Sequence, residues 1–137
     1  MQHKMRKTFI ARSAVCFTVF FMLLFSCSKI SHKTPAEINN ILHAVNSGTT
    51  VVLIDVRSPI KYREGHIAGA VNIPLESKTF DLRLSAFDRE DEIVFYCGTG
   101  LKTVKAAETA QDQGFEKIYV LDGGIKAWQK AGLNLAR

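Results

Sequence analysis

Glu92-Ile93-Val94-Phe95-Tyr96 runs directly into Cys97-Gly98-Thr99-Gly100-Leu101-Lys102-Thr103 and then into Val104-Lys105-Ala106-Ala107. A short apolar run rich in β-branched and aromatic residues reads as a strand buried on both faces, as in a parallel sheet. The glycines interrupt it, and the alanines that follow read as a helix. Cys97 therefore falls between a strand and the first turn of a helix, where unpaired backbone N–H groups carry partial positive charge and favour an anion. A thiolate is stabilised at such a point, and so is an anion bound beside it. The plainer reading, a small hydrophobe at a strand end, gives no reason for Gly98, Gly100 and the cationic Lys102 around the thiol.

Outward from this stretch, strand and helix signals alternate. Thr34-Pro35-Ala36-Glu37 has the form of a capping box with proline at the first helical position, and Ile38, Ile41, Leu42 and Val45 recur at helical spacing before Gly48. Thr50 to Val56 reads as a buried strand, and Ser58-Pro59 starts a short helix that Gly65 stops. Val71 to Ile73 is a short strand, and Leu75 to Phe87 is expected to be helical with Phe80, Leu84 and Phe87 inward. Asp88 to Glu92 is a charged, solvated turn. The helix from Lys102 to Gln113 ends at Gly114, and Lys117 to Leu121 is the last strand; Phe115 and Trp128 are core candidates, and Gly123-Gly124 a tight turn. This alternation predicts an α/β fold with a central parallel sheet and helices on both faces. In such a sheet the site lies at the carboxyl ends of the strands, so Asp55 to Ser58, Cys97 to Thr103 and Asp122 to Gly124 are expected to converge.

The loop Cys97-Gly98-Thr99-Gly100-Leu101-Lys102-Thr103 resembles the active-site loop of the rhodanese family of sulfurtransferases, usually Cys-x-x-Gly-x-Arg-Ser/Thr. Asp55-Val56-Arg57 followed by Tyr62-Arg63-Glu64-Gly65-His66-Ile67-Ala68-Gly69-Ala70-Val71-Asn72-Ile73-Pro74 resembles the family's first signature. Val120-Leu121-Asp122-Gly123-Gly124-Ile125 with Trp128 resembles its C-terminal one. Together they span roughly Ser31 to Leu133, in the family's order. The resemblance implies a three-layer rhodanese-like domain over 34–137, Cys97 as the nucleophile, residues Gly98 to Thr103 as the loop that holds substrate, Arg57 at the pocket rim and Asp55 in support. For Asp55 an ion pair bracing the loop is an equal alternative. It also implies transfer of sulfane sulfur from thiosulfate or a similar small-molecule donor to a thiol acceptor through a Cys97 persulfide, with no cofactor. Lys102 departs from the pattern: it is a point charge where the family usually has a guanidinium fork, which weakens bidentate recognition of an oxyanion.

Two other classes are weighed against that reading. A cysteine phosphatase or arsenate reductase loop, Cys-x5-Arg, would place arginine where Thr103 stands, so the clamp on a tetrahedral phosphate is missing. A membrane-tethered persulfide carrier, redox sensor or binding module with little turnover draws its support from Lys102. His66 is expected to be structural, because a preformed thiolate needs no general base. His3, His32 and His43 show no ligand spacing, so no metal is expected.

The first 12 residues carry Lys4, Arg6, Lys7 and Arg12 with no acid, and Ala14 to Phe25 is apolar apart from Thr18. This is the pattern of an export signal: the apolar core is shorter than the about 20 residues that a spanning helix needs. Leu24-Phe25-Ser26-Cys27 resembles a bacterial lipobox, although Phe25 is bulkier than the usual small residue; an ordinary cleaved signal or an uncleaved anchor are the alternatives. The expected organisation is a cleaved signal over 1–26, lipidated Cys27 with a polar tether to residue 33, and one domain over 34–137. The product would be a monomer anchored to the lipid bilayer of the cell envelope, facing the periplasm or exterior. Cys16 would leave with the signal and Cys27 would carry lipid, so Cys97 would be the one free thiol, as a reusable sulfur carrier requires. Without the four signal-segment cations the formal net charge of +5 falls to about +1, which removes any argument for nucleic acid.

Overall fold

The computed structural model describes residues 29–44 and 49–137. The readings placed on the N-terminal signal, on Cys16 and Cys27, and on Val45 and Gly48 lie outside the described residues.

The chain alternates β1 (Lys29–Lys33), α1 (Pro35–His43), β2 (Val51–Asp55), α2 (Pro59–Glu64), β3 (Val71–Asn72), α3 (Phe80–Leu84), β4 (Glu92–Tyr96), α4 (Thr103–Asp112), β5 (Lys117–Leu121) and α5 (Gly124–Lys130). The strands form one five-stranded sheet in the order β1-β5-β4-β2-β3, and every pairing is parallel. β4 is central, with Ile93 opposite Val52 on one side and Ile118 on the other.

Side chains alternate across a strand, and both faces are covered. Val52, Ile54, Val56, Ile93, Phe95, Cys97, Ile118 and Val120 point to one face, where they meet Phe80 and Leu84 of α3 and Ala106, Ala107 and Ala110 of α4. The three alanines are fully buried and let α4 lie close on the sheet. Leu53, Val94, Tyr96 and Leu121 point to the other face, against Ile38 of α1 and Ile125 and Trp128 of α5. The α/β architecture expected from the sequence is therefore the one found.

Local signals account for the helix starts. Thr34 and Glu37 form a reciprocal capping box: the Glu37 N–H donates to Thr34 Oγ1 at 3.4 Å and Glu37 Oε2 accepts from the Thr34 N–H at 2.9 Å. Ser58 caps α2 through the Lys61 N–H, with Pro59 in the first turn.

Three elements differ from expectation. Lys29–Lys33 is an edge strand rather than a tether, paired with β5 from Lys29 opposite Lys117 to Lys33 opposite Leu121. Its polar composition hid it, because an edge strand needs few apolar residues: Ile30 packs against the core. The helix expected over Leu75 to Phe87 is only Phe80–Leu84. Upstream, Ser77 Oγ accepts from the Thr79 N–H at 3.2 Å, a side-chain bond that competes with helix formation. The tight turn read at Gly123-Gly124 also opens a helix, α5, which the sequence reading did not include.

Candidate active site

Cys97 directly follows β4, and the alternation that buries Ile93 and Phe95 carries its side chain to the same face, so only 3% of it is exposed. The chain then turns back on itself: the Gly100 N–H donates to Cys97 Sγ at 3.0 Å. A backbone donor at that distance turns partial positive charge towards the sulfur. The turn requires Gly100 at φ +91°, a left-handed conformation that suits glycine. Thr103 closes the loop: its side chain is fully buried and its hydroxyl donates to the Gly100 carbonyl. Where a phosphatase loop would carry arginine there is thus a buried hydroxyl turned to the backbone. Among the described residues the N–H groups of Gly98, Thr99, Leu101 and Lys102 have no acceptor, so they remain available to an anion.

α5 supports the loop from behind. The Ile125 N–H donates to the Cys97 carbonyl at 2.9 Å and the Lys126 N–H to the Gly98 carbonyl at 3.4 Å. This contact depends on Gly124, where a Cβ would stand 2.4 Å from the Cys97 carbonyl oxygen and 2.9 Å from the Gly100 nitrogen.

In front of Cys97 lies an open cleft of about 880 Å³, walled by Arg57 and Pro59, Pro74 and Glu76, Leu101 and Lys102, and Ile125, Lys126 and Gln129. Leu101 is 84% exposed at its mouth. A second cleft, of about 720 Å³, lies between Glu64 and Arg137 and is not lined by Cys97.

The residues expected at the site divide by what holds them. Asp55 is fully buried and receives the Arg57 guanidinium on both oxygens, Nε at 3.0 Å and Nη2 at 2.6 Å, with the Arg57 N–H at 2.9 Å on Oδ1. Nη2 also donates to the Gly65 carbonyl at 2.7 Å. Arg57 therefore borders the cleft while Nε and Nη2 are spent on bracing the β2–α2 turn. Burial opposes its charge, but the Asp55 hydrogen bonds and carboxylate outweigh burial and hold the guanidinium pKa above its ordinary value. Tyr96 lies beneath, with Arg57 Cζ 5.8 Å from its ring centre. Its hydroxyl accepts from the Ile67 N–H at 3.0 Å, and burial, then the charge of Asp55, push its pKa up.

Lys102 pairs with Glu76, and that contact raises the lysine pKa and lowers that of Glu76; the nearby Cys97 adds a smaller upward push on Lys102. His66 is not among the residues lining the cleft. It stacks on Tyr62 at 3.9 Å between ring centres, its Nδ1 lies 3.1 Å from the Tyr62 carbonyl, and its backbone bridges to Ala136. Among the described residues no group of three or more His, Cys, Asp or Glu side chains is placed to hold a metal ion.

The sequence reading missed Glu76 and Lys126. Both are surface charges in segments read for other features, and nothing in their local sequence marks proximity to Cys97. For Gly124 the signal was present, since two adjacent glycines after a strand mark a close backbone approach as readily as a turn.

Residues 34–131 match the rhodanese-like domain family. The chain belongs to that family. It is 33% identical to the thiosulfate sulfurtransferase GlpE of Shewanella oneidensis over 92 residues, which cover 67% of this chain and 89% of the relative. It is 31% identical to a sulfurtransferase of Allochromatium vinosum over 83 residues, 61% of this chain and 76% of that one. A probable adenylyltransferase/sulfurtransferase of Mycobacterium tuberculosis, MoeZ, is 35% identical over 103 residues, 75% of this chain but only 26% of the relative. Among solved structures, a rhodanese-like domain protein from Staphylococcus aureus superimposes with a TM-score of 0.62 at 26% identity, covering 78% of this chain and 99% of that one. The Alr3790 protein from Anabaena gives 0.66 at 27% identity, covering 76% and 81%.

Proposed function

We propose that the protein transfers sulfane sulfur by double displacement at Cys97. The observation that carries this reading is the Gly100 N–H, 3.0 Å from Cys97 Sγ, within a loop of further unpartnered N–H groups. The Cys97 thiolate attacks the outer sulfur of thiosulfate. A bond from Sγ to that sulfur forms, the sulfur–sulfur bond of the donor breaks, and sulfite leaves with the electron pair. The persulfide carries its negative charge on the terminal sulfur, where the loop N–H groups stabilise it without reorganisation. A thiophilic acceptor, cyanide in an assay or a thiol, then takes the outer sulfur and restores the thiolate. Every step uses this chain's own residues, and no cofactor enters.

The Lys102–Glu76 pair favours a second reading, a persulfide carrier or sensing module with little turnover, because it offsets the one cation within the loop itself. We also propose that residues 1–26 export the protein and that Cys27 anchors it in the cell envelope; the basic start, the apolar run and Leu24-Phe25-Ser26-Cys27 support this.

Mass spectrometry after thiosulfate treatment, with thiocyanate formation measured in parallel, tests the reaction. Wild type should gain one sulfur on Cys97 and turn over with cyanide, and Cys97→Ser should do neither while remaining folded. A sulfur gain without turnover would select the carrier. Thiocyanate formation by Cys97→Ser would exclude the mechanism.

A further inference from the structure

Four cations line the cleft in front of Cys97, and three of them are committed. Arg57 gives Nε and Nη2 to Asp55 and the Gly65 carbonyl. Lys61 donates to Glu64 at 2.8 Å. Lys102 pairs with Glu76. The fourth, Lys126, borders the same cleft, is exposed, and has no carboxylate partner among the described residues. Its backbone position is fixed relative to the nucleophile, because its own N–H donates to the Gly98 carbonyl at 3.4 Å and the preceding N–H, of Ile125, to the Cys97 carbonyl at 2.9 Å.

We propose that Lys126 is the specificity-determining residue that draws the anionic oxygens of the sulfur donor to Cys97. The proposal rests on the persulfide reading above. A donor whose leaving group is sulfite or a sulfinate must bring negative charge towards a thiolate that is itself negative, so an unpaired cation at the cleft wall lowers the cost of approach. Lys102 contributes less, since Glu76 offsets its charge and an incoming anion has to compete with that carboxylate. Arg57 contributes less because its fork is already occupied. A lysine suits this role because its ammonium is a point charge on a flexible stem and can follow the donor's oxygens without demanding bidentate geometry. Donor selection therefore resides on α5, outside the cysteine loop, and grades with donor charge.

The test compares thiosulfate, a dianion, with methanethiosulfonate, a monoanion that gives up its outer sulfur to a thiolate in the same way and releases methanesulfinate. Cys97 persulfidation and half-saturation are measured on the full-length protein for wild type, Lys126→Gln and Lys126→Arg. Lys126→Gln should raise the thiosulfate half-saturation roughly three- to tenfold at low salt, the monoanion value by about the square root of that factor, and leave the saturated rate unchanged. Lys126→Arg should retain wild-type values, and the difference should collapse near 1 M salt, where the Debye length is about 3 Å. Equal values for Lys126→Gln and wild type, or the same loss for both donors, would overturn the assignment to Lys126 while leaving the persulfide reading standing. No sulfur on wild-type Cys97 from either donor would overturn both.

Discussion

Gly124 is the back wall of Cys97: a Cβ on residue 124 would stand 2.4 Å from the Cys97 carbonyl oxygen, well inside any real carbon–oxygen contact. The Cys97 loop is thus held between β4, which delivers it, and the start of α5, which closes on its backbone. The Gly123-Gly124 pair packs against the Cys97 loop although it is distant in sequence.

Gly124→Ala should therefore damage loop and fold together. Residue 124 also has φ +59°, a conformation that a side chain disfavours, and overpacking of this kind costs about 1–3 kcal/mol. The expected result is a lower urea midpoint together with slower persulfidation of Cys97. A variant with wild-type midpoint and wild-type loading would show that the loop tolerates displacement and that Gly124 is incidental.

Asp55 and Arg57 form a buried ion pair, with the Asp55 side chain fully inaccessible and the Arg57 side chain 13% exposed. Removing one member strands the other's charge, which costs about 3–5 kcal/mol, whereas removing both leaves none. Arg57→Met should accordingly destabilise more than the Asp55→Asn/Arg57→Met double variant in denaturant titrations. A double variant at least as unstable as the single one would mean that Asp55 is not the charge Arg57 compensates.

Much of the frame is legible in the sequence because its signals are local. The β-branched runs of β2, β4 and β5, the Thr34–Glu37 box and the Ser58-Pro59 start each specify their element within a few residues. β1 is not legible, since Lys29-Ile30-Ser31-His32-Lys33 becomes a strand only when β5 offers its edge. At the site, Cys97 and its glycines can be read directly from the pattern. The partnering of charges is legible only where it is local, as in the ion pair read for Asp55: Glu76 and Lys102 lie 26 residues apart, and nothing in the spacing marks the Gly65 carbonyl that also holds Arg57. Such pairings are set by tertiary geometry that spacing does not encode.

Glu76 modulates Lys102 from an exposed position, so its effect should appear in donor recognition and hardly in stability. Exposed pairs contribute little to folding. Glu76→Gln should lower the thiosulfate half-saturation roughly two- to fivefold by releasing Lys102, and Lys102→Ala should raise it, both with an unchanged melting temperature. If the two substitutions moved it in the same direction, Lys102 would be supporting the loop rather than attracting charge.

The capping box makes stability respond to acid. Hydrogen bonds from the Thr34 backbone and hydroxyl, reinforced by Lys33, lower the Glu37 pKa to about 2, from a reference value of 4.5. A depressed folded-state value means that the contribution is present above pH 4.5 and is lost as the pH falls towards 2. Glu37→Gln should therefore be less stable than wild type at neutral pH and approach it between about pH 4.5 and 2. Denaturant midpoints measured across that window provide the check; a difference that stays constant with pH would show that the carboxylate charge contributes nothing to the cap.

The proposed lipid anchor has a geometric consequence that follows from β1. Lys29, two residues after Cys27, begins a strand parallel to all the others, and Cys97 follows the carboxyl end of β4. Lys29 and Cys97 therefore sit at opposite ends of the sheet, separated by five residues of strand at about 3.3 Å each. Acylation of Cys27 would then hold the amino-terminal edge at the bilayer and turn the cleft away from it, open to dissolved donors. Two or more acyl chains, each buried CH₂ contributing about 0.8 kcal/mol, would attach stably, and without the four cations of residues 1–26 the formal net charge of +5 would fall to about +1 and give salt little to screen. Detergent should release the wild-type protein from membranes and high salt should not. Cys27→Ser should be soluble and should load sulfur on Cys97 at the rate of the membrane-bound form. Wild type recovered in the soluble fraction with an N-terminus other than Cys27 would remove the anchor, and faster loading of the freed Cys27→Ser protein would show that the bilayer obstructs the cleft.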